Sequence, residues 1–326
     1  MNVKYIPQEN ESGDAAIAAQ GFGRISDWEP PQFDPATQAD EVVSFFEEHG
    51  YAVLRDCLTA EELDHLNEFC DRTQAKHPDA WGLGESRKPH HRNQGLIYSQ
   101  SLLEYPELDP YTQHPASYPL VERLLGGPDR PRFSEFNFRE APENAGPGMM
   151  NFHHDRVVED RFERAPYMPC DYLCAIHYLT DVEPGTPAFC VVPGSTRFET
   201  LREAYDEMGD DYREVPLYGQ AGTCILYDTG IFHTRFDGDG KRMRRTWHQY
   251  YARGGWLKST LPGRTNKYVR PPSPTLTDWN LFPERLAMHP DPAKRLFFSH
   301  WNAAQCEWVA SGFSDEVRRS MPKGYQ

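Results

Sequence analysis

The feature that most constrains the fold is a set of short β-favouring runs in the second half of the chain. PRFSEFNF, YLCAIHYLT, AFCVVPG, GTCILYD and TWHQYYAR follow one another between Pro, Gly and Asp turns. No helix of crossover length alternates with them, so parallel βαβ pairing is disfavoured and an antiparallel barrel or sandwich is predicted. One helical stretch, residues 199–209, reads as an insertion between strands.

The first half has a different texture. Residues 1–37 are rich in Pro, Gly, Asn and Asp without a clear period, and read as an arm lying over the surface. From Gln38 the apolar stripe Val42, Val43, Phe45 and Phe46 predicts a helix closed by Gly50, and YAVLRDC follows as a short strand. Thr59 with Glu62 three residues later has capping-box spacing, opening a second helix that carries Leu63, Leu66, Phe69 and Cys70 on one face. Residues 76–100 read as a loop and entrance lid, and SYPLVERLLGG as a short helix. The expectation is one catalytic domain: arm 1–37, mainly helical flank and lid 38–127, β core 128–255, and wrapping tail 256–326. The tail begins Pro-rich and turns helical in DPAKRLFFSHWNAAQCEWVASGF.

Charge and composition narrow the partners. A net charge of −15 repels phosphate backbones, so nucleic acid is excluded as the main partner. No run approaches the roughly 20 apolar residues that span a bilayer, and the amino terminus lacks the apolar stretch of a signal peptide. Seven scattered cysteines, mostly inside apolar stretches, read as free thiols in a reducing, cytoplasmic compartment. The spacing of Cys170 and Cys174 suits zinc, but no second pair stands nearby. The composition leaves the oligomeric state open.

The chemistry concentrates in NFHHDRVVED. Residues two apart on an extended strand point the same way, so His153 and Asp155 can converge on one ion while His154 points away. His233, placed by LYDTGIFHTRF at the end of a β run, is the candidate third ligand. Two histidines and a carboxylate on one face of an octahedron leave the opposite face open, the arrangement of Fe(II) oxygenases. Arg244 lies eleven residues after His233, on the strand after a GDG turn. Its guanidinium offers the two parallel donors that the far carboxylate of 2-oxoglutarate would need. The triad alone would also serve a cupin-like metalloenzyme that does not use 2-oxoglutarate. A non-catalytic binding protein on the same fold would be marked by loss of one of these residues, and all are intact.

Several secondary sites accompany these. Asn137, on the strand before the His-x-Asp motif, could offer an amide to the cosubstrate. His91, Tyr98, Trp247 and His248 are candidate pocket residues, His248 because it follows Arg244 by four on one strand. His177 reads as core or pocket lining. Cationic residues at 87–92, Arg235 and 258–270, near Trp81 and Trp256, would form a positive mouth for a small anionic metabolite.

Over roughly residues 40–250 the sequence resembles the phytanoyl-CoA dioxygenase family of Fe(II)/2-oxoglutarate oxygenases. The resemblance rests on FFEEHGYAVLRDCLTAEELDHL, VERLLG, the His153-x-Asp155 pair, DVEPGTPAFCVVPGST, the stretch into His233, and the arginine at plus eleven. It implies a mainly β fold with flanking helices around a double-stranded β-helix (jelly-roll, cupin-like) core. It also implies iron held by two histidines and an aspartate, 2-oxoglutarate anchored by the late arginine, and O2-dependent decarboxylation to succinate and CO2 coupled to substrate oxidation. Two positions depart from the pattern. Thr196 stands where relatives carry the histidine of PGSH, and Arg235 where they carry a small hydroxyl residue. Both lie near the cosubstrate in relatives, so each is a candidate cosubstrate contact. An outward Arg235 beside Asp237 is the alternative. Halogenating relatives replace the acidic ligand with Ala or Gly. Asp155 therefore favours hydroxylation, desaturation or cyclisation.

Overall fold

The computed structural model describes residues 21–78, 80–81, 96–98, 105–141, 151–155, 170, 172–253, 284–287 and 289–298. His91, Trp256, Cys306 and the cationic stretches 87–92 and 258–270 fall outside these residues, as do the first part of the arm and most of the lid and tail.

After a two-residue strand β1 (Gln32–Phe33), helix α1 (Ala39–His49) forms where the apolar stripe predicts and buries Val42 and Phe46. Gly50 ends it at φ 81°, with its N–H donating to Phe46 O. A side chain there would be strained by that φ and would stand 2.9 Å from Thr196 Cγ2. Strand β2 (Tyr51–Leu54) leads to α2 (Ala60–Lys76), where Thr59 Oγ1 accepts from Glu62 N and the Glu62 carboxylate accepts from Thr59 N. Further on come β3 (Leu96–Tyr98), α3 (Tyr118–Leu124), β4 (Pro131–Ala141), β5 (Tyr172–Tyr178) and β6 (Ala188–Val191). The 199–209 insertion is α4 (Leu201–Met208), capped by Thr200 and Glu203. Then follow β7 (Val215–Leu217), β8 (Cys224–Asp228), β9 (His233–Phe236), β10 (Arg244–Arg253), α5 (Glu284–Ala287) and α6 (Pro292–Phe297).

Seven strands form one sheet in the order β1-β2-β8-β5-β10-β4-β3, and β7-β6-β9 form a second. All pairs are antiparallel except β1 with β2. This is the mainly β, helix-flanked architecture expected. The arm nevertheless donates β1, and the helical flank β2 and β3, to the large sheet, and β3 lies inside the stretch read as loop. The strands missed in the sequence, β1, β3, β7 and β9, have two to four residues, too few to establish a period.

Strand alternation sorts the side chains into two layers. One face of the large sheet, with Ala52, Leu54, Phe136, Phe138, Leu173, Ala175, Leu226, Trp247 and Tyr251, packs under α1, α2 and α3. The other face meets the small sheet through Tyr51, Val53, Cys174, Ile176, Tyr178, Ile225, Tyr227 and Tyr250 against Phe189, Val191 and Leu217. The far side of the small sheet is covered by α4 and its flanks, with Cys190, Phe198, Leu201 and Phe232. The six cysteines among the described residues are buried free thiols. Among those residues no helix is long and apolar enough to cross a membrane.

Because α2 lies behind the large sheet, its cap is decoupled from the space between the sheets. Thr59→Ala is expected to lower the unfolding free energy by about 1 kcal/mol, read by urea denaturation, with divalent-metal affinity unchanged.

Candidate metal centre

Two backbone hydrogen bonds create the site. His153 N donates to His233 O at 3.0 Å and His233 N donates to His153 O at 2.8 Å, a reciprocal antiparallel bridge that sets the two rings 4.4 Å apart. Asp155 N then donates to Thr229 O at 2.8 Å, fixing the carboxylate beside them. One ligand atom from each of His153, Asp155 and His233 lies within 4.8 Å of the others. His233 Nε2 stands 3.8 Å from Asp155 Oδ2. His233 opens β9 after a turn; it does not end the preceding run, as the sequence suggested.

The donor chemistry fits a transition metal. Each histidine places Nδ1 2.9 Å from a backbone carbonyl two residues earlier, Asn151 O for His153 and Ile231 O for His233. A carbonyl only accepts, so the proton sits on Nδ1 and the Nε2 lone pair is available to a metal. Burial, with the neighbouring His153 adding to it, pushes His233 down to about 3, so its ring is neutral as a ligand must be. Phe189 and Tyr227 wall it at ring distances of 5.3 and 5.1 Å. His154 turns the other way, its ring 5.1 Å from Phe232 and Nε2 3.4 Å from Glu199 O.

Strand β10 supplies the polar side of the interior. Its residues Thr246, His248 and Tyr250 face the space between the sheets, opposite Asn137 and Arg139 of β4. Arg244 shares that face. It is 7% exposed, its Nε is buried without a hydrogen-bond partner, and no ion pair among the described residues includes it. Burial depresses it to about 10, and the charges of Arg235 and Arg139 contribute, so it remains a cation at neutral pH. His248 is neutral, pushed well down by burial and by Arg139 and Arg244. Its Nε2 pairs with Thr246 Oγ1 and its Nδ1 is buried without a partner. Arg245, one residue on, points to the helix side and bonds Glu140, Asp71 and Asn67.

Arg235 faces inward. It pairs in register with Phe189, whose ring packs on Tyr227, and the outward orientation beside Asp237 is thereby overturned. Asn137 is fully buried on the interior face opposite His248, accepting from Arg139 Nε at 2.9 Å.

Two sequence expectations need correction. Trp247 lies behind the large sheet, stacked on His177 at 4.1 Å, because it alternates with the inward Thr246 and His248. Tyr98 is on that same helix side, stacked on Trp81 at 5.4 Å. Neither lines the space between the sheets. Thr196 packs against Gly50, whose carbonyl accepts from Asp228 N. That is the end of β8 paired with Leu173, whereas Arg244 starts β10 beside Leu179.

Arg139 was the residue missed. The β run was read as ending at Phe138, and continuing its alternation by one step from Asn137 would have placed Arg139 inside.

A family model described as phytanoyl-CoA dioxygenase (PhyH) matches residues 46–246. No curated protein matches the sequence. Among solved structures, the non-heme alpha ketoglutarate dependent carbocyclase SnoK from nogalamycin biosynthesis is 19% identical with a TM-score of 0.53, over 68% of this chain and 87% of that one. The non-heme alpha ketoglutarate dependent epimerase SnoN from the same biosynthesis is 18% identical with a TM-score of 0.53, over 71% and 91%. AviO1 from Streptomyces viridochromogenes Tue57 is 17% identical with a TM-score of 0.51, over 67% and 96%. At these identities the structures establish a shared fold, and the family match, spanning more than half of the sequence, shows that this chain belongs to the phytanoyl-CoA dioxygenase (PhyH) family.

Proposed function

We propose that the protein is an Fe(II)/2-oxoglutarate-dependent dioxygenase that oxidises a small organic metabolite. The observation that carries this reading is the pairing of two features in one interior: three convergent ligand atoms and a buried guanidinium, Arg244, that no ion pair among the described residues includes. A cupin-like enzyme without 2-oxoglutarate would need the first and have no use for the second.

In this reading His153 and His233 give Nε2 and Asp155 a carboxylate oxygen to Fe(II), leaving the remaining positions for the cosubstrate and O2. Iron so bound would supply O2 activation, coupling decarboxylation of 2-oxoglutarate to succinate and CO2 with oxidation of the substrate. Arg244 holds the cosubstrate's far carboxylate. A guanidinium already buried gains a partner without further desolvation, so this pairing is strong. The Phe189 and Tyr227 rings exclude water from the His233 side of the ion. Asp155 occupies the position that halogenation would require to be open, which supports hydroxylation, desaturation or cyclisation. The two neighbours described as a carbocyclase and an epimerase illustrate that the fold carries reactions other than hydroxylation. A reducing, cytoplasmic setting belongs to the same proposal, supported by the buried free thiols.

Anaerobic titration with Fe(II) and 2-oxoglutarate, following the visible charge-transfer band, tests the metal set. His153→Ala, Asp155→Ala and His233→Ala should lose the band, and His154→Ala should keep it. Survival of the band without His153 but not without His154 would reverse the assignment.

Arg244 and Arg245 separate cosubstrate binding from stability. Arg244→Leu is expected to weaken 2-oxoglutarate by about 2–5 kcal/mol, roughly 30- to 4,000-fold, with the melting temperature kept. Arg245→Leu should leave 2-oxoglutarate affinity intact and cost about 3–5 kcal/mol of stability, because Glu140 is left buried and uncompensated. Equal effects of the two on 2-oxoglutarate affinity would remove Arg244 from the site.

A further inference from the structure

Of the polar side chains that β10 turns into the space between the sheets, His248 has a capacity that neither the metal nor the cosubstrate uses. It lies between Asn137 of β4 and Ile176 of β5 and is 4% exposed. Its Nε2 stands 3.0 Å from Thr246 Oγ1. Among the described residues its Nδ1 is buried without a hydrogen-bond partner. Buried polar atoms in a protein are nearly always paired, and the exceptions collect where a ligand or a water completes them.

Thr246 decides what kind of ligand atom completes this one. Its hydroxyl has a single proton, and Oγ1 donates it to Arg139 O at 3.4 Å. A carbonyl only accepts, so Oγ1 is left to accept from His248, which places the ring proton on Nε2. Burial, with the charges of Arg139 and Arg244 adding to it, holds the ring neutral. A neutral imidazole protonated on Nε2 presents a bare lone pair at Nδ1. The missing partner is therefore a donor.

That requirement separates the substrate from the cosubstrate. At neutral pH 2-oxoglutarate carries two carboxylates and a ketone, all of them acceptors, and O2 has no proton to give. Neither satisfies Nδ1. The placement agrees with the chemistry. Thr246, on the Arg244 side of His248, takes up Nε2, and the two nitrogens of an imidazole ring diverge, so Nδ1 is turned away from the cosubstrate anchor. His248 also feels the charge of His233, which puts it within electrostatic reach of the metal ligands.

We propose that His248 is a specificity-determining residue whose Nδ1 accepts a hydrogen bond from a hydroxyl or N–H group of the primary substrate. The proposal rests on the iron/2-oxoglutarate reading for the occupants of the metal centre and of Arg244. It makes the substrate a molecule with a neutral donor, such as an alcohol or an amide.

Two measurements on the full chain test it. In the first, protein with isotope-labelled histidine, loaded with Zn(II) in place of Fe(II), is read by two-bond proton–nitrogen correlation NMR, with His248→Gln locating the signal. His248 should show a protonated Nε2 and an unprotonated Nδ1, and the opposite tautomer would overturn the proposal. In the second, anaerobic calorimetry with Fe(II) and saturating 2-oxoglutarate compares benzyl alcohol, which donates, with benzaldehyde, which has the same ring and only accepts. Wild type should favour the alcohol by about tenfold, the worth of one buried hydrogen bond. His248→Gln keeps a polar group at the reach of Nε2 and removes the one at Nδ1, so it should lose the preference. His248→Asn keeps a group where Nδ1 stood and should restore part of it. Unchanged 2-oxoglutarate affinity shows that each variant is folded, and the wild-type comparison and the tautomer carry the test if neither folds. A wild type that does not favour benzyl alcohol, or a preference that survives in folded His248→Gln, sinks the assignment. Failure of wild type to take up 2-oxoglutarate sinks the iron reading instead, and the tautomer of His248 is still read on the Zn(II)-loaded protein.

Discussion

The register of β10 is the constraint on which the rest of the molecule depends. It is paired along its length with β4 on one side and β5 on the other, and both its faces are buried. Side chains on a strand alternate, so every second residue goes to the helix layer and the rest to the space between the sheets. Arg244, Thr246, His248 and Tyr250 go in, and Arg245, Trp247, Gln249 and Tyr251 go under the helices. A slip of one residue would exchange the two sets and carry Trp247 and its stack on His177 into the interior. The aromatic layer under α1, α2 and α3 thus holds in place the polar strip that the chemistry uses.

Two adjacent arginines of that strand show how differently a buried cation can be treated. Arg245 is surrounded by Glu140, Asp71 and Asn67, so its desolvation is offset inside the protein and it ties α2 to the sheet. Arg244 has a comparable exposure, and among the described residues it has no such shell. Burial of an uncompensated charge is costly, and the fold tolerates it because the surrounding sheets over-determine the strand. Stability and ligand binding are therefore divided between the two faces of one element. Among the residues of the metal centre the same division recurs, with His153 and Asp155 turned inward and His154 turned to the hydrophobic cover of the small sheet.

The sequence was most legible where a local signal and a burial pattern agreed. The Gly50 stop, the Thr59 capping box, the longer strands and the convergence of His153 with Asp155 all follow from short-range rules, because each depends on residues within one helix turn or one strand. His233 was legible as a residue but not in its setting, since the bridge to His153 joins positions 80 apart in the chain. Arg139 was hidden by a strand boundary placed three residues early, and boundaries are where sequence patterns carry least information.

What the sequence by itself determined is the set of chemically competent residues and which of them share a strand face: two histidines and an aspartate with ligand geometry, and an arginine out of phase with its neighbour. What only the tertiary structure decided is which side of the large sheet is the interior. Periodicity fixes that Trp247 and His248 part company, but both faces of β10 are buried, so composition does not say which one meets the helices. The packing of α1, α2 and α3 on the Trp247 face settles it, and with it the exclusion of Trp247 and Tyr98, the inward turn of Arg235, and the gathering of Arg139, Arg235 and Arg244 around one space.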